Sequence, residues 1–113
     1  MAVIQSPFMS DKFAVYVKLT APEGKGDDLV AAFSELYPGP LDAEAGTEIH
    51  AIHQAKDNPD VVFFYELYTD KAAHDAHGQG EALRAVLPKL GGLVAGAPEV
   101  VQATPRHAKG VTL

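Results

Sequence analysis

Four segments of the chain have the residue pattern of β-strands. Residues 12–20 alternate between apolar and more polar positions, which predicts a half-buried strand. Residues 47–56 and 61–69 are two further extended runs, and the DNPD sequence between them favours a tight connection. Together these two runs predict a hairpin. Residues 100–103 predict a short last strand before Thr104 and Pro105.

Helical spacing occurs in two places between these strands. Apolar residues recur every three to four positions over residues 29–36, and Pro38-Gly39-Pro40 ends that pattern. The second helical region begins near Thr69 or Asp70, either of which can cap it, and runs through KAAHDAH. Gly78 and Gly80 are expected to interrupt this region before EALRAVLPKL resumes the helix.

The order of elements is βαββαβ, which predicts an α+β, ferredoxin-like domain with both helices on one face of an antiparallel sheet. The predicted strand VVFFYELYT has large apolar or aromatic side chains at both odd and even positions, which point to opposite faces. Both faces of the sheet therefore need cover. One domain has helices for one face only. We therefore expect a homodimer in which two sheets pack together as a dimeric α+β barrel, with the tail TPRHAKGVTL reaching across it.

Length and composition define the class of protein. A chain of 113 residues is long enough for one domain, which we divide into an extension (1–11), a folded domain (12–105) and a tail (106–113). The net charge of −6, without a run of Lys or Arg, excludes nucleic acid as a partner. The absence of cysteine excludes disulfides and thiolate chemistry. Without a signal-like start or a long apolar run, we expect no membrane contact and a cytoplasmic location.

Several motifs resemble one family. They are EAGT before the second strand, His53 within that strand, and YELYTDKAAHDAH from the third strand into the helix. Over residues 12–105 the chain resembles the antibiotic biosynthesis monooxygenase family of dimeric α+β barrels. The resemblance implies a pocket between sheet and helices and, in several members, oxygenation of phenolic or quinol-type substrates by O2 without a cofactor. It also extends to isomerases of small phosphorylated ketoses.

Four of the five histidines occur in two HxxH pairs that could suggest a metal site. His50 and His53 are three apart on a strand, so they point to opposite faces and cannot share one ion. His74 and His77 share one side of a helix, but two ligands without a third make a weak zinc site. Asp70 lies one turn earlier, where a role as helix cap explains it. We therefore predict no metal ion.

General-base catalysis explains these residues better. Direct reaction of O2 with a phenol or quinol requires an electron-rich anion, so a protein without a cofactor needs a base and a pocket that excludes water. His53 is the first candidate base, since the ordinary histidine pKa is near 6.5. If His53 lies opposite Phe64, it shares a face with Glu66 and Tyr68, and a shift of one residue removes this arrangement. His53 is equally explained as a half-buried strand residue bonded to its neighbours.

Two further polar residues lie in the apolar third strand. Glu66 stands between apolar neighbours, where a charge needs a partner, and we predict that it orients the base. A salt bridge with Lys18 or Arg84 is the alternative explanation. Tyr68 shares the parity of Glu66, so we predict that it binds substrate beside Phe64.

The two helical histidines are assigned through the resemblance. His77 matches a helical histidine of the family, which implies a role as second acid or base, although its place before Gly78 also suits the negative end of a helix. His74 stands where some family oxygenases have a pocket aromatic, so it is a candidate substrate contact.

Three alternative hypotheses for the function follow from this sequence. The leading hypothesis is a cofactor-independent monooxygenase of small aromatic or quinol compounds, with His53 or His77 as the base. A ketose-phosphate isomerase would need a cation for the phosphate, for which Lys18 and Arg84 are the candidates. A non-catalytic dimer that binds a small ligand is the third. Haem is disfavoured because the chain has no Trp and EALRAVLPKL has no His to act as axial ligand. A flavin or dinucleotide site is also unsupported, because GLVAG lacks the strand-turn-helix setting that a phosphate-binding loop requires.

Overall fold

The computed structural model describes residues 10–113, so residues 1–9 of the predicted extension lie outside it. Seven helices and strands follow in the order β1 (Phe13–Thr20), α1 (Gly26–Phe33), β2 (Thr47–Gln54), β3 (Val61–Tyr68), α2 (Lys71–Gly78), α3 (Glu81–Val86) and β4 (Glu99–Ala103). Short 3-10 turns occupy Ser34–Leu36, Pro40–Ala43 and Leu87–Lys89. The predicted βαββαβ order is confirmed, and the second helical region is interrupted between Gly78 and Glu81.

The four strands form one antiparallel sheet in the order β2-β3-β1-β4. β1 lies between β3 and β4, so that Val15 is opposite Glu66 on one side and Gln102 on the other. β2 and β3 form the predicted hairpin. This arrangement is the ferredoxin-like α+β fold that the order of elements predicts.

The helices pack on one face of the sheet and bury the alternating apolar residues of its strands. Leu29 of α1 and Val62 of β3 are fully buried in this core, and the rings of Phe33 and Phe64 meet edge to face with centroids 4.8 Å apart. Burial of a side chain such as Leu29 contributes about 1.5–3 kcal/mol. The core therefore fixes the distance between sheet and helices.

α2 begins where Asp70 caps it, because the Asp70 carboxylate accepts a hydrogen bond of 2.8 Å from the Ala73 amide. This confirms one of the two predicted caps. The helix ends at Gly78, so its two histidines lie on one short segment held close to the end of β3.

The outer face of the sheet carries exposed apolar side chains. Tyr16 is 51% exposed, Phe63 43% and Val101 59%. At one end of this face the tail of the same chain lies against the sheet, where Pro105 and Ala108 line a cavity with Tyr16 and Tyr65. The chain thus leaves much of the outer face without helical cover, as the residue pattern of β3 predicts.

Candidate functional site

A cavity of about 260 Å³ lies between the inner face of the sheet and the helices. Most of its lining is apolar, including Val17, Phe33, Leu36, Phe64 and Val86. Among the described residues, three polar side chains complete the lining: His50, Glu66 and His77. The cavity is therefore an apolar chamber with a single polar cluster.

The pairing of β2 with β3 determines which histidine reaches this cavity. His50 is opposite Glu66, Ile52 is opposite Phe64, and His53 is opposite Phe63. The prediction that His53 lies opposite Phe64 was therefore wrong by one residue. The Ala55 amide donates to the Val61 carbonyl at 2.9 Å and continues the observed register into the turn.

A shift of one residue moves every side chain of a strand to the other face. His53 is consequently exposed on the outer face, away from Glu66 and Tyr68. His50 takes the position that was expected for His53. The prediction that these two histidines point to opposite faces is confirmed.

His50 is held from both sides of its ring. Its Nδ1 lies 2.5 Å from the Tyr37 hydroxyl, and its Nε2 lies 3.7 Å from Oε2 of Glu66. Burial lowers the pKa of His50, and the nearby Glu66 carboxylate only partly opposes this effect. The imidazole is therefore neutral near pH 7 and can accept a proton.

Glu66 is buried in the same cluster and is bonded to Tyr68. The Tyr68 hydroxyl donates to Oε1 of Glu66, and burial together with this bond raises the pKa of Tyr68 well above its usual range. Tyr68 is thus a permanent hydrogen-bond donor, fully buried behind the carboxylate. It acts on the cavity through Glu66 and does not line it.

The alternative salt bridges of Glu66 do not form. Lys18 lies on the outer face of the sheet, 3.5 Å from Glu99, and Arg84 is exposed on α3. Neither cation lines the cavity. The polar groups beside the Glu66 carboxylate are instead the Tyr68 hydroxyl, which donates to Oε1, and the His50 ring, whose Nε2 lies 3.7 Å from Oε2.

His77 faces the cavity from α2 and is held by Glu44. Its Nδ1 lies 2.7 Å from Oε1 of Glu44, which also accepts a 2.8 Å hydrogen bond from the Thr47 hydroxyl. Because a carboxylate only accepts, Nδ1 of His77 carries the hydrogen and Nε2 is left free. The His77 ring lies 5.3 Å from that of His50, measured between centroids.

Of the predicted substrate contacts, Phe64 lines the cavity, whereas Tyr68 and His74 do not. His74 lies between Phe13 and Tyr68, with ring centroids 4.6 Å and 5.3 Å away, and its Nδ1 is 3.0 Å from a carboxylate oxygen of Asp75. His74 therefore packs behind the polar cluster.

A second pocket of about 370 Å³ lies on the other side of His50. Tyr37, Asp42 and Thr47 line it together with the His50 ring. His50 thus separates the apolar cavity from a more polar pocket.

Three residues of this site were not predicted as functional: His50, Tyr37 and Glu44. The β2 sequence TEIHAIHQ does not alternate cleanly, so its inward face could not be read from the pattern. A β-bulge between Thr47 and Ile49 further obscures the register. Tyr37 and Glu44 come from the irregular segment between α1 and β2, where periodicity carries no information.

The polar cluster also has the composition of a metal-ligand set. His50, Glu66 and His77 each offer one ligand atom, and these atoms lie within 4.8 Å of one another. In the sequence, His74, His77 and Asp70 were the candidates for such a role, whereas the fold brings together a different set from β2, β3 and α2.

Comparison with known proteins agrees with this architecture. The profile of the family described as antibiotic biosynthesis monooxygenase matches residues 12–89. A Shewanella oneidensis structure is 27% identical, with a TM-score of 0.73, and the match covers 88% of this chain and 96% of that one. A Nitrosomonas europaea protein named for the same family is 17% identical with a TM-score of 0.80, covering 91% and 98% of the two chains.

The comparison with curated proteins gives no match. Within residues 10–113, no helix has the length and apolar character needed to cross a membrane.

Proposed function

The chain belongs to the antibiotic biosynthesis monooxygenase family, and from this premise we propose that it oxidises a small phenolic or quinol-type compound with O2 and without a cofactor. The observation that carries the proposal is the position of the His50 ring, which lies between Tyr37 and Glu66 at the polar cluster of an otherwise apolar cavity. The cavity of about 260 Å³ is slightly smaller than the ~300–1,000 Å³ of most ligand pockets, so it suits a small aromatic substrate rather than a large one.

His50 acts as the general base in this proposal. The substrate hydroxyl lies at the polar cluster and transfers its proton to Nε2 of His50, while Nδ1–H donates to the Tyr37 oxygen. The imidazolium that forms is stabilised by the Glu66 carboxylate, 3.7 Å away. Positioned general bases of this kind contribute about 10²–10⁴-fold to rate.

Glu66 and His77 complete the proposed catalytic cluster, and both were candidate catalytic residues in the sequence. Tyr68 holds Glu66 in place through its hydroxyl. Glu44 orients His77 so that Nε2 of His77 is free to contact the substrate oxygen. The apolar lining keeps water from the substrate anion and so raises its reactivity toward O2.

The reaction balances without an external reductant. The substrate anion gives electrons to O2, a carbon–oxygen bond forms at an electron-rich ring carbon, and the oxygen–oxygen bond then breaks. One oxygen atom becomes a carbonyl of the quinone product, and the other leaves as water with two hydrogens from the substrate. The substrate thus supplies all four electrons.

The isomerase alternative receives less support from the site. A phosphorylated ketose needs a cation in the pocket, yet none of the described residues that line the cavity is Lys or Arg. A protein that only binds a ligand would not require a buried base whose partners fix both sides of the ring.

We further propose that two chains pair through the outer faces of their sheets. The support is the exposed apolar surface of Tyr16, Phe63 and Val101, which a second copy would cover. Light scattering after size-exclusion chromatography should give twice the mass of one chain. A mass equal to one chain across the concentration range would contradict the pairing.

Oxygen uptake tests the proposed reaction. Purified protein in the presence of a chelator is supplied with hydroquinones, anthrones and related phenols, and O2 consumption is recorded together with the product. We expect uptake of one O2 per substrate oxidised, with one labelled atom from ¹⁸O2 in the product. A panel that gives no protein-dependent O2 uptake would contradict the proposal. It would favour the isomerase, which can be assayed with ketose phosphates under nitrogen.

A further inference from the structure

We infer that His50, Glu66 and His77 form a binding site for a divalent first-row transition-metal ion, with its open coordination positions facing the apolar cavity. Two imidazoles and one carboxylate are the donor set of many zinc and non-haem iron sites. All three residues line the cavity, so an ion among them would also be accessible to a small ligand.

The spacing of the three residues fits a shared ion after a small adjustment. One ligand atom from each lies within 4.8 Å of the others, and Nε2 of His50 lies 3.7 Å from Oε2 of Glu66. In tetrahedral geometry, two atoms bound to one ion at about 2.1 Å are about 3.4 Å apart. Side-chain movements that shorten the longest separation by about 1.4 Å therefore complete the coordination.

Every one of the three ligands is oriented by an outer partner. The Tyr37 hydroxyl lies 2.5 Å from Nδ1 of His50, and the Tyr68 hydroxyl donates to Oε1 of Glu66. In each case one polar atom of the ligand is engaged and the other is left for the ion. Such outer hydrogen bonds fix the orientation of metal ligands in proteins.

Glu44 supplies the third of these outer partners and gives an independent observation. Its Oε1 lies 2.7 Å from Nδ1 of His77 and accepts from the Thr47 hydroxyl, whereas Oε2 is buried without a hydrogen-bond partner among the described residues. A buried carboxylate behind a histidine raises the basicity of the free ring nitrogen. This carboxylate–histidine pair is typical of metal sites.

The donor set also determines which ions compete. Imidazole nitrogens favour Zn²⁺, Co²⁺ and Fe²⁺, whereas Mg²⁺ and Ca²⁺ prefer a shell of oxygen atoms. The site should therefore bind Co²⁺ and should exchange it for Zn²⁺.

A bound ion occupies the lone pair on which proton abstraction by His50 depends. It follows that the ion inhibits oxygen uptake, and this consequence alone rests on the proposed function. Metal binding itself is measured independently of turnover, so the two can fail separately.

The test is a titration of chelator-treated, desalted protein with Co²⁺, followed by the visible absorption of the ion. We expect the absorption to saturate at one Co²⁺ per chain, Zn²⁺ to abolish it, and Mg²⁺ to leave it unchanged. His77→Ala should abolish the saturable signal, and Glu44→Gln should weaken binding by about 10–100-fold. Circular dichroism of each variant confirms that it is folded.

His53→Ala is the matched control, because His53 lies on the same strand but on the outer face. It should bind Co²⁺ as the unaltered protein does. No saturable signal from the unaltered protein would overturn the inference. Unchanged Co²⁺ affinity in folded His77→Ala would also overturn it, and so would loss of Co²⁺ binding in His53→Ala, since either result places the ion elsewhere. Protein that binds Co²⁺ but oxidises no substrate supports the metal site and contradicts the proposed reaction.

Discussion

Replacement of His50 by Gln is expected to lower kcat for oxygen uptake by about 10²–10⁴-fold, the usual contribution of a positioned general base. The glutamine amide can still bond to the Tyr37 hydroxyl but cannot accept a proton from the substrate, so the change removes the base and keeps the polar contact. The measurement is the initial rate of O2 consumption with a chelator present, on the best substrate of the panel.

His53→Gln is the control for this change, since it makes the same substitution three residues along the same strand. Because His53 is exposed on the outer face, kcat should stay within about threefold of the original value, a change of less than about 0.7 kcal/mol in the barrier. A comparable loss of kcat in both variants would show that His50 is not the base. Full activity in His50→Gln would show the same.

The pH dependence of kcat/KM gives a second readout of the same base. This quantity falls as pH decreases through the pKa of the free enzyme's base. Burial lowers the pKa of His50 from its ordinary value of 6.5, so the midpoint of the decline should lie below pH 6.5. A decline centred above that pH would indicate a different base.

Replacement of Gly26 by Ala is expected to lower the free energy of unfolding by about 3 kcal/mol or more, the upper range for overpacking. A methyl group at Gly26 would lie 1.8 Å from the Pro59 carbonyl oxygen, which is backbone and cannot rotate away. At this contact the Gly26 amide also donates to the Asp60 carboxylate at 2.8 Å. The methyl group therefore separates the start of α1 from the hairpin loop.

Gly78→Ala is the matched control and should act in the opposite direction. Nothing lies within 4 Å of a methyl group at Gly78, which is the last residue of α2. Alanine in a helix is more stable than glycine by about 0.5–1 kcal/mol, because the unfolded chain loses less entropy on folding. Urea unfolding of both variants at one protein concentration measures the two changes. Equal midpoints for both would show that the contact at Gly26 relaxes without cost.

Much of the fold was predictable because it depends on local pattern. Alternation in residues 12–20 predicted β1, the turn residues at 57–60 predicted the hairpin, and Gly78 with Gly80 predicted the break between α2 and α3. These features depend on backbone preferences and side-chain periodicity, which any short segment carries by itself. The family assignment likewise followed from contiguous motifs.

Glu66 and His77 could also be identified from the sequence as members of the site. Glu66 stood out because a charge inside an apolar strand requires a polar partner, and the structure supplies Tyr68 and His50. His77 stood out through the family resemblance of YELYTDKAAHDAH, which implies a functional histidine on this helix. Their partners were not predictable, because Tyr37 and Glu44 approach from the irregular segment before β2.

The choice between His50 and His53 was made only by the tertiary structure. Both residues lie on β2, and one step of register between β2 and β3 decides which of them meets Glu66 in the cavity. Local pattern determines that a strand forms, whereas its register depends on the hydrogen bonds of the turn, the bulge and the packing of the inner face. By itself the sequence determined the elements, their order and a polar cluster in an apolar sheet. Long-range pairing decided which histidine completes that cluster.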